Sequence, residues 1–185
     1  MLPPRECYVE VFAGAAWVLL GKEPSKVEIL NDIDGEVVNF FRVVKEKPSV
    51  NDSGHGNRLI GSLKNLHERI LPAYNRLQTV IIEKLDWRGC VDRYDKEEAT
   101  MFLDPPYPAN NVNYQHNLRA WKSHEVIAER MKRAKAKCLL TTYDLPELRE
   151  LSGYFNITPV RFPAGMPGSN GRQNREIIVT NYEVK

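Results

Sequence analysis

Asp104-Pro105-Pro106-Tyr107 gathers a carboxylate, proline-constrained carbonyls and an aromatic ring into four residues. That set suits an exocyclic amine, which has two hydrogens to give and a lone pair delocalised into its ring. Asp104 and the Pro105 carbonyl can accept the hydrogens, while the Tyr107 ring stacks on the heterocycle. The apolar run Thr100–Leu103 leads into the tetrapeptide as a strand. Pro105, Pro106 and Pro108 can continue neither a central strand nor a helix, so the segment leaves the strand as a stiff loop. The carboxyl edge of an α/β sheet is where such folds bind ligands. The competing reading is an ordinary Pro-rich turn with Asp104 as a cap.

Three further acids stand at predicted strand ends. Glu10 lies late in the run Tyr8–Phe12, ahead of the small-residue turn Ala13-Gly14-Ala15-Ala16. A carboxylate there can meet an ammonium group, and small residues let a ligand approach the backbone. The turn lacks a GxGxxG pattern, which disfavours a dinucleotide site. A tight strand-to-helix turn without a ligand fits equally well. Asn31-Asp32 follows about 20 residues after the turn, the position at which nucleotide folds set an acid against ribose hydroxyls. Asp86, followed by Trp87, can receive an adenine amino group with the indole near the ring. For Asp32 and Asp86, helix or strand-end capping is the alternative.

The elements that must carry these residues alternate. Strands are predicted over 8–12, 26–30, 79–85, 100–103, 137–143, 156–162 and 176–182. Helices are predicted over 17–20, 34–45 (capped by Asp34), 59–77 (with Pro72 as a bend), 123–136 (capped by Ser123) and 146–151. Residues 48–57 read as a polar loop. Alternation of this kind predicts an α/β fold with a mostly parallel sheet, closed by an antiparallel final hairpin because no helix separates the last two strands.

The chain has 185 residues, 42% hydrophobic and 27% charged, enough for one domain over 1–185 with a real core. The net charge of +2 permits nucleic-acid binding only through a local patch. Cys7, Cys90 and Cys138 are scattered, without ligand spacing, so reduced core cysteines are expected rather than disulfides or a metal site. No apolar run is long enough to span a membrane, and no signal peptide is visible, so a cytoplasmic protein without membrane partners is expected.

Taken in order, Glu10-Val11-Phe12-Ala13-Gly14, Asn31-Asp32, Asp86-Trp87, Asp104-Pro105-Pro106-Tyr107 and the closing Glu176–Tyr182 resemble the Dam-like, alpha-group N6-adenine DNA methyltransferases. The resemblance runs over most of the chain. It implies a single Rossmann-like methyltransferase domain, S-adenosyl-L-methionine as cofactor, and double-stranded DNA with a flipped-out adenine as partner. It implies that Glu10, Phe12, Ala13, Gly14 and Ala15 hold the methionine part. Asn31-Asp32 then serves the ribose, and Asp86 and Trp87 the cofactor's adenine. Asp104, Pro105, Pro106 and Tyr107 become the catalytic loop, which orients the target amine for in-line displacement at the sulfonium methyl. No metal is required.

The family normally carries a Gly-Gly-Lys-type segment before the first strand and a helical target-recognition region between the second and third acidic positions. Here Met1–Cys7 precede the strand and the loop 48–57 stands in for the region, so both are expected to be missing. Target recognition is then expected from a protein partner or a second copy. Two other readings stay open: a shortened, weakly active or inactive form, and an acceptor that is RNA or another amine. For nucleic-acid contact the candidates are Asn110 and Tyr114 after the tetrapeptide, and Arg172 and Arg175 in the Gly-rich loop 163–175. The basic run Arg130–Lys137 reads as a solvated helix face. Trp17 and Trp121 are expected in or near the core. The four histidines are dispersed and suggest no catalytic role.

Overall fold

A computed structural model describes residues 2–46, 70–107, 121–161 and 175–184. Seven strands form one sheet: β1 (Cys7–Glu10), β2 (Val27–Asn31), β3 (Ile81–Glu83), β4 (Ala99–Leu103), β5 (Lys137–Tyr143), β6 (Asn156–Arg161) and β7 (Arg175–Thr180). Their spatial order is β3-β2-β1-β4-β5-β7-β6. The first five run parallel, and β7 is antiparallel to both neighbours, wedged between β5 and β6. The expected α/β class, parallel sheet and antiparallel closing hairpin are all present.

Six helices accompany the sheet among the described residues: α1 (Trp17–Gly21), α2 (Gly35–Glu46), α3 (residues 70–77), α4 (Trp87–Tyr94), α5 (Trp121–Arg133) and α6 (Pro146–Leu151). Strand alternation divides the core into two layers. Val9, Val11, Met101 and Leu103 face α4 and α5, where Trp87, Cys90, Ile127 and Met131 pack. Tyr8, Leu30 and Phe102 face α1, α2 and α3, where Leu19, Phe41 and Leu77 pack. Covered on both faces, β4 is buried at all five positions, which is why its sequence is a continuous apolar run.

Several boundaries differ from the sequence reading. Helix α4 was not anticipated, although Asp86 caps it by accepting from the Arg88 amide at 3.0 Å, and Trp87, Cys90, Val91 and Tyr94 have helical spacing. Ser123 does not cap α5, which is already helical at Trp121. Strand β3 is three residues rather than seven, because the amide of Leu85 turns to the Asn31 side chain at 2.9 Å instead of a ladder carbonyl. The predicted loop 48–57 and the start of the 59–77 helix lie outside the described residues.

A buried ion cluster clamps the α1–α3 side. Glu28 on β2 is 2% exposed and receives Lys22 at 2.5 Å, the Ser25 amide at 3.0 Å and the Arg76 guanidinium. Burial pulls the Glu28 carboxyl upward, but Arg76 and Lys22 outweigh it and hold it below the usual range. Arg76 also donates to the Leu19 carbonyl at 2.8 Å, tying α3 to α1.

Candidate functional site

At the carboxyl ends of β1 and β4 a groove of about 460 Å³ opens between the β1–α1 turn and the β5–β7 side of the sheet. Glu10, the turn from Phe12 to Val18, Asp104 to Tyr107, Tyr143 and Glu176 line it. A larger hollow of about 700 Å³ lies at the opposite strand ends, around Leu2–Tyr8 and Lys22–Lys26, and contains none of the predicted site residues. The smaller groove therefore has the better claim, since chemistry and concavity coincide there.

Register explains the convergence. Glu10 pairs with Phe102, so Asp104 emerges two residues further along the neighbouring strand on the same face. Glu10 is 2% exposed, and its Oε2 accepts from the Tyr8 hydroxyl at 2.9 Å and the Leu19 amide at 2.8 Å. Both bonds fall on one oxygen, which leaves Oε1 to the groove. Burial raises the Glu10 carboxyl to about 7; the Tyr8 and Leu19 bonds oppose this and the charge of Asp104 adds to it. A cation brought to Oε1 would be met by a carboxylate short of partners.

The turn that follows is built for close approach. Gly14 has φ +46°, where glycine is favoured, and Ala16 has φ +54° without a glycine's freedom. The Gly14 amide donates to Asp32 Oδ2 at 3.0 Å, and Asp32 Oδ1 accepts from the Asp34 amide at 2.9 Å. Asp32 thus joins the end of β2 to the turn while remaining partly exposed. Its companion Asn31 is 1% exposed. The Asn31 amide group donates to the carbonyls of Val11 at 3.0 Å and Leu85 at 3.1 Å, and its oxygen accepts from Leu85. Asn31 is therefore an internal brace between strand ends, and the cofactor contact expected of its side chain is corrected to a structural role. Trp87 is also corrected: its indole is 2% exposed and belongs to the core under Phe12, with ring centroids 6.5 Å apart. Asp86 remains exposed beside it, outside the groove.

The tetrapeptide is held from three sides. Thr141 Oγ1 on β5 donates to Asp104 Oδ1 at 2.6 Å, which fixes the carboxylate through one of its oxygens. Tyr107 packs edge-on against Tyr143 at 4.7 Å, and its hydroxyl donates to Glu176 Oε2 at 3.3 Å. Burial raises Tyr107 far above the usual phenol range, with the Asp104 charge adding to it, so it stays a neutral donor. Glu176 is also raised, first by burial, then by the Asp104 charge, against the Tyr107 bond. Beneath the loop, His124 of α5 is 1% exposed and lies 3.4 Å from the Pro106 carbonyl through Nε2. A carbonyl only accepts, so Nε2 carries the proton and Nδ1 is left buried without a partner.

Sequence reasoning missed Thr141, Tyr143, Glu176 and His124 as site residues, because their places depend on strand and helix register. Trp17 is a further correction. It was expected in or near the core, but stands 80% exposed at the first position of α1, on the groove wall. Arg175 is exposed at the start of β7, next to Glu176 in sequence. Asn110, Tyr114 and Arg172 lie outside the described residues. The basic run behaves as a helix surface: Arg130 pairs with Asp92, and Lys132 with Glu129 at 2.8 Å. The three cysteines are free, and Cys90 and Cys138 are buried. No helix among the described residues is long and apolar enough to cross a membrane.

No protein-family model matches the sequence, and no curated protein matches it. Solved structures similar in fold include an rRNA methylase from Streptococcus thermophilus, at 12% identity over 96% of this chain and 88% of that one, TM-score 0.44. The precorrin-6y C5,15-methyltransferase from Geobacter metallireducens is 11% identical over 97% and 80%, TM-score 0.44. The N-terminal domain of human METTL16, in complex with SAH, is 11% identical over 98% and 63%, TM-score 0.47. Likenesses this distant carry no argument about activity; the α/β, Rossmann-like class stands on the strand order itself.

Proposed function

We propose that this chain is an S-adenosyl-L-methionine-dependent methyltransferase of the Dam-like alpha group, acting on the N6 amine of adenine in DNA. One observation carries the reading: Glu10 with a free oxygen and the stiff Asp104–Tyr107 loop face a single groove from adjacent strands. The donor set fits the cofactor. Glu10 Oε1 suits its ammonium group, the exposed backbone at Gly14 and Ala15 suits close approach, and the spare lone pairs of Asp32 suit ribose hydroxyls. Asp86 spends Oδ1 on the Arg88 amide and keeps Oδ2 for an adenine amine, beside Phe12 propped on Trp87.

Bound S-adenosyl-L-methionine supplies an electrophilic methyl on a sulfonium. The chain's own residues prepare the nucleophile. Asp104 Oδ2 and the Pro105 carbonyl accept the two N6 hydrogens, Thr141 keeps Asp104 from rotating, and Tyr107, fixed by Tyr143 and Glu176, stacks on the base. As the N6–methyl bond formed and the methyl–sulfur bond broke, the nitrogen would become cationic and shed one proton toward Asp104. Positioning and electrostatics supply the rate. Residues 1–185 act as the catalytic domain, and a partner or second copy completes target reading.

The test is calorimetry with S-adenosyl-L-methionine, followed by methyl transfer to duplex DNA and to RNA of the same sequence. Micromolar binding (about −8 kcal/mol) lost in Asp32→Ala, with transfer to DNA adenine, is expected. Equal transfer to RNA and none to DNA would overturn the choice of polymer. Absence of binding would favour the inactive-form reading.

A further inference from the structure

Trp17 is unlike the other large apolar residues near the site. Trp87 is buried and Phe12 is half-buried, yet Trp17 is 80% exposed on the same groove that holds Asp104 and Tyr107. Among the described residues its ring makes no aromatic, cation–π or hydrogen-bonded contact. Burying an indole is strongly favourable, and this one shares its groove with a carboxylate and two tyrosines. The residue before it, Ala16, is held left-handed at φ +54° and caps α1 with no side-chain bond. Alanine is disfavoured in that region, and such strain persists where the surroundings fix a functional turn. Trp17 follows this turn directly, as the first residue of α1.

The rest of the groove states what the indole meets. The Tyr107–Tyr143 pair and the Asp104 carboxylate line the same groove as Trp17. Aromatic rings and an amine-accepting carboxylate in one groove suit planar heterocycles. We propose that the Trp17 indole is a stacking platform for a nucleobase of the acceptor strand at the groove mouth. This rests on the methyltransferase reading above and adds a residue that binds the nucleic acid through its base.

Tryptophan emission makes the proposal readable: Trp87 is buried and Trp17 exposed, and Trp17→Phe separates the Trp17 signal from that of the other two tryptophans. A short adenine-containing single-stranded oligonucleotide, titrated into protein saturated with S-adenosylhomocysteine, should quench the exposed emission, and Trp17→Phe should shift or diminish that signal. Trp17→Ala should weaken oligonucleotide binding by about ten- to a hundredfold, the range of one lost base stack, while S-adenosylhomocysteine affinity stays within about twofold by calorimetry. At 80% exposure the side chain contributes little to folding, so neither variant is expected to unfold. The inference is overturned if Trp17→Ala binds the oligonucleotide like the wild type, or if S-adenosylhomocysteine alone produces the whole quench, since the indole would then belong to the cofactor. Failure of S-adenosylhomocysteine to bind, with the oligonucleotide still quenching Trp17, would sink the methyltransferase reading and leave this one standing.

Discussion

Replacing Glu10 by Gln separates what the carboxylate does for the fold from what it does for a ligand. Glutamine keeps an oxygen for the Tyr8 hydroxyl and the Leu19 amide, so packing and both bonds at 2.9 and 2.8 Å survive. The charge alone is removed. Glu10 titrates at about 7 when folded, against 4.5 for the free side chain, with burial the main cause. The folded state thus holds a proton that the unfolded chain releases at lower pH, and stability falls as pH rises from about 4.5 to about 7. The difference of about 2.5 pH units, at 1.36 kcal/mol each, is about 3 kcal/mol. Glu10→Gln should therefore match the wild type below pH 4.5 and exceed it by about 3 kcal/mol at pH 8. For a chain of this size that is roughly 6–12 °C in Tm. The same variant should bind S-adenosyl-L-methionine at least tenfold more weakly at pH 8, because an amide cannot pair with an ammonium. In the wild type, affinity should fall about tenfold per pH unit below 7, with proton release on binding near pH 6 readable by calorimetry in buffers of different ionisation enthalpy. Equal Tm values at pH 8 would refute the burial argument. Unchanged affinity in the variant would refute the ammonium role.

Three other perturbations test the neighbouring parts. Asp104→Asn should lower methyl transfer by about a hundredfold or more with cofactor affinity near normal; it should also move the Glu10 titration to lower pH, since the Asp104 charge raises it. His124→Leu should lower kcat several-fold without changing cofactor affinity, and His124→Gln, which restores a donor toward the Pro106 carbonyl, should recover part of it. Its stability should change by only about 1 kcal/mol, because one neutral hydrogen bond is lost while the orphaned Nδ1 is removed too. Arg76→Ala should cost about 3–5 kcal/mol in denaturant unfolding, because it leaves Glu28 buried beside Lys22 alone; a loss under 1 kcal/mol would show that Lys22 suffices.

Much of the frame was legible because local chemistry and global fold agree. The apolar run of β4, the prolines after it and the Pro146 start of α6 each state their element in a few residues. Asp86 and Trp87 show where legibility fails. Both look like ligand groups at a strand end, and the spacing Trp87, Cys90, Val91, Tyr94 was open to be read as a helix, yet the attraction of an acid–aromatic pair outweighed it. The indole is core, and one Asp86 oxygen caps the helix it precedes. Asn31 was misjudged for a related reason: a polar residue beside Asp32 reads as a ligand group until the strand ends that it braces are in view. Thr141, Glu176 and His124 carry no local mark at all. Thr141 reaches Asp104 only because β5 pairs with β4 in the register Leu103–Leu140, and Glu176 only because β7 inserts antiparallel beside β5. Sequence periodicity gives each strand its faces but not its neighbours.

The electrostatics of the groove constrain its ligand independently of any resemblance. Three carboxylates, Glu10, Asp104 and Glu176, line one cavity, and no lysine or arginine is among its described lining residues. Burial is the first cause of the rise in Glu10, Tyr107 and Glu176, and the charge of the exposed Asp104 adds to each. Folding does not favour that arrangement; a bound cation relieves it. A phosphate-bearing cofactor would instead add charge of the same sign beside these carboxylates. A ligand with a positive centre near Glu10 and an amine donor near Asp104 lowers both costs at once. S-adenosyl-L-methionine beside an adenine amine has that distribution, and after transfer the sulfonium charge is gone. Under the proposed reaction the groove would be left holding a neutral thioether and a methylated amine with one hydrogen fewer to give, so the attraction that assembles the reactants would weaken as the products form.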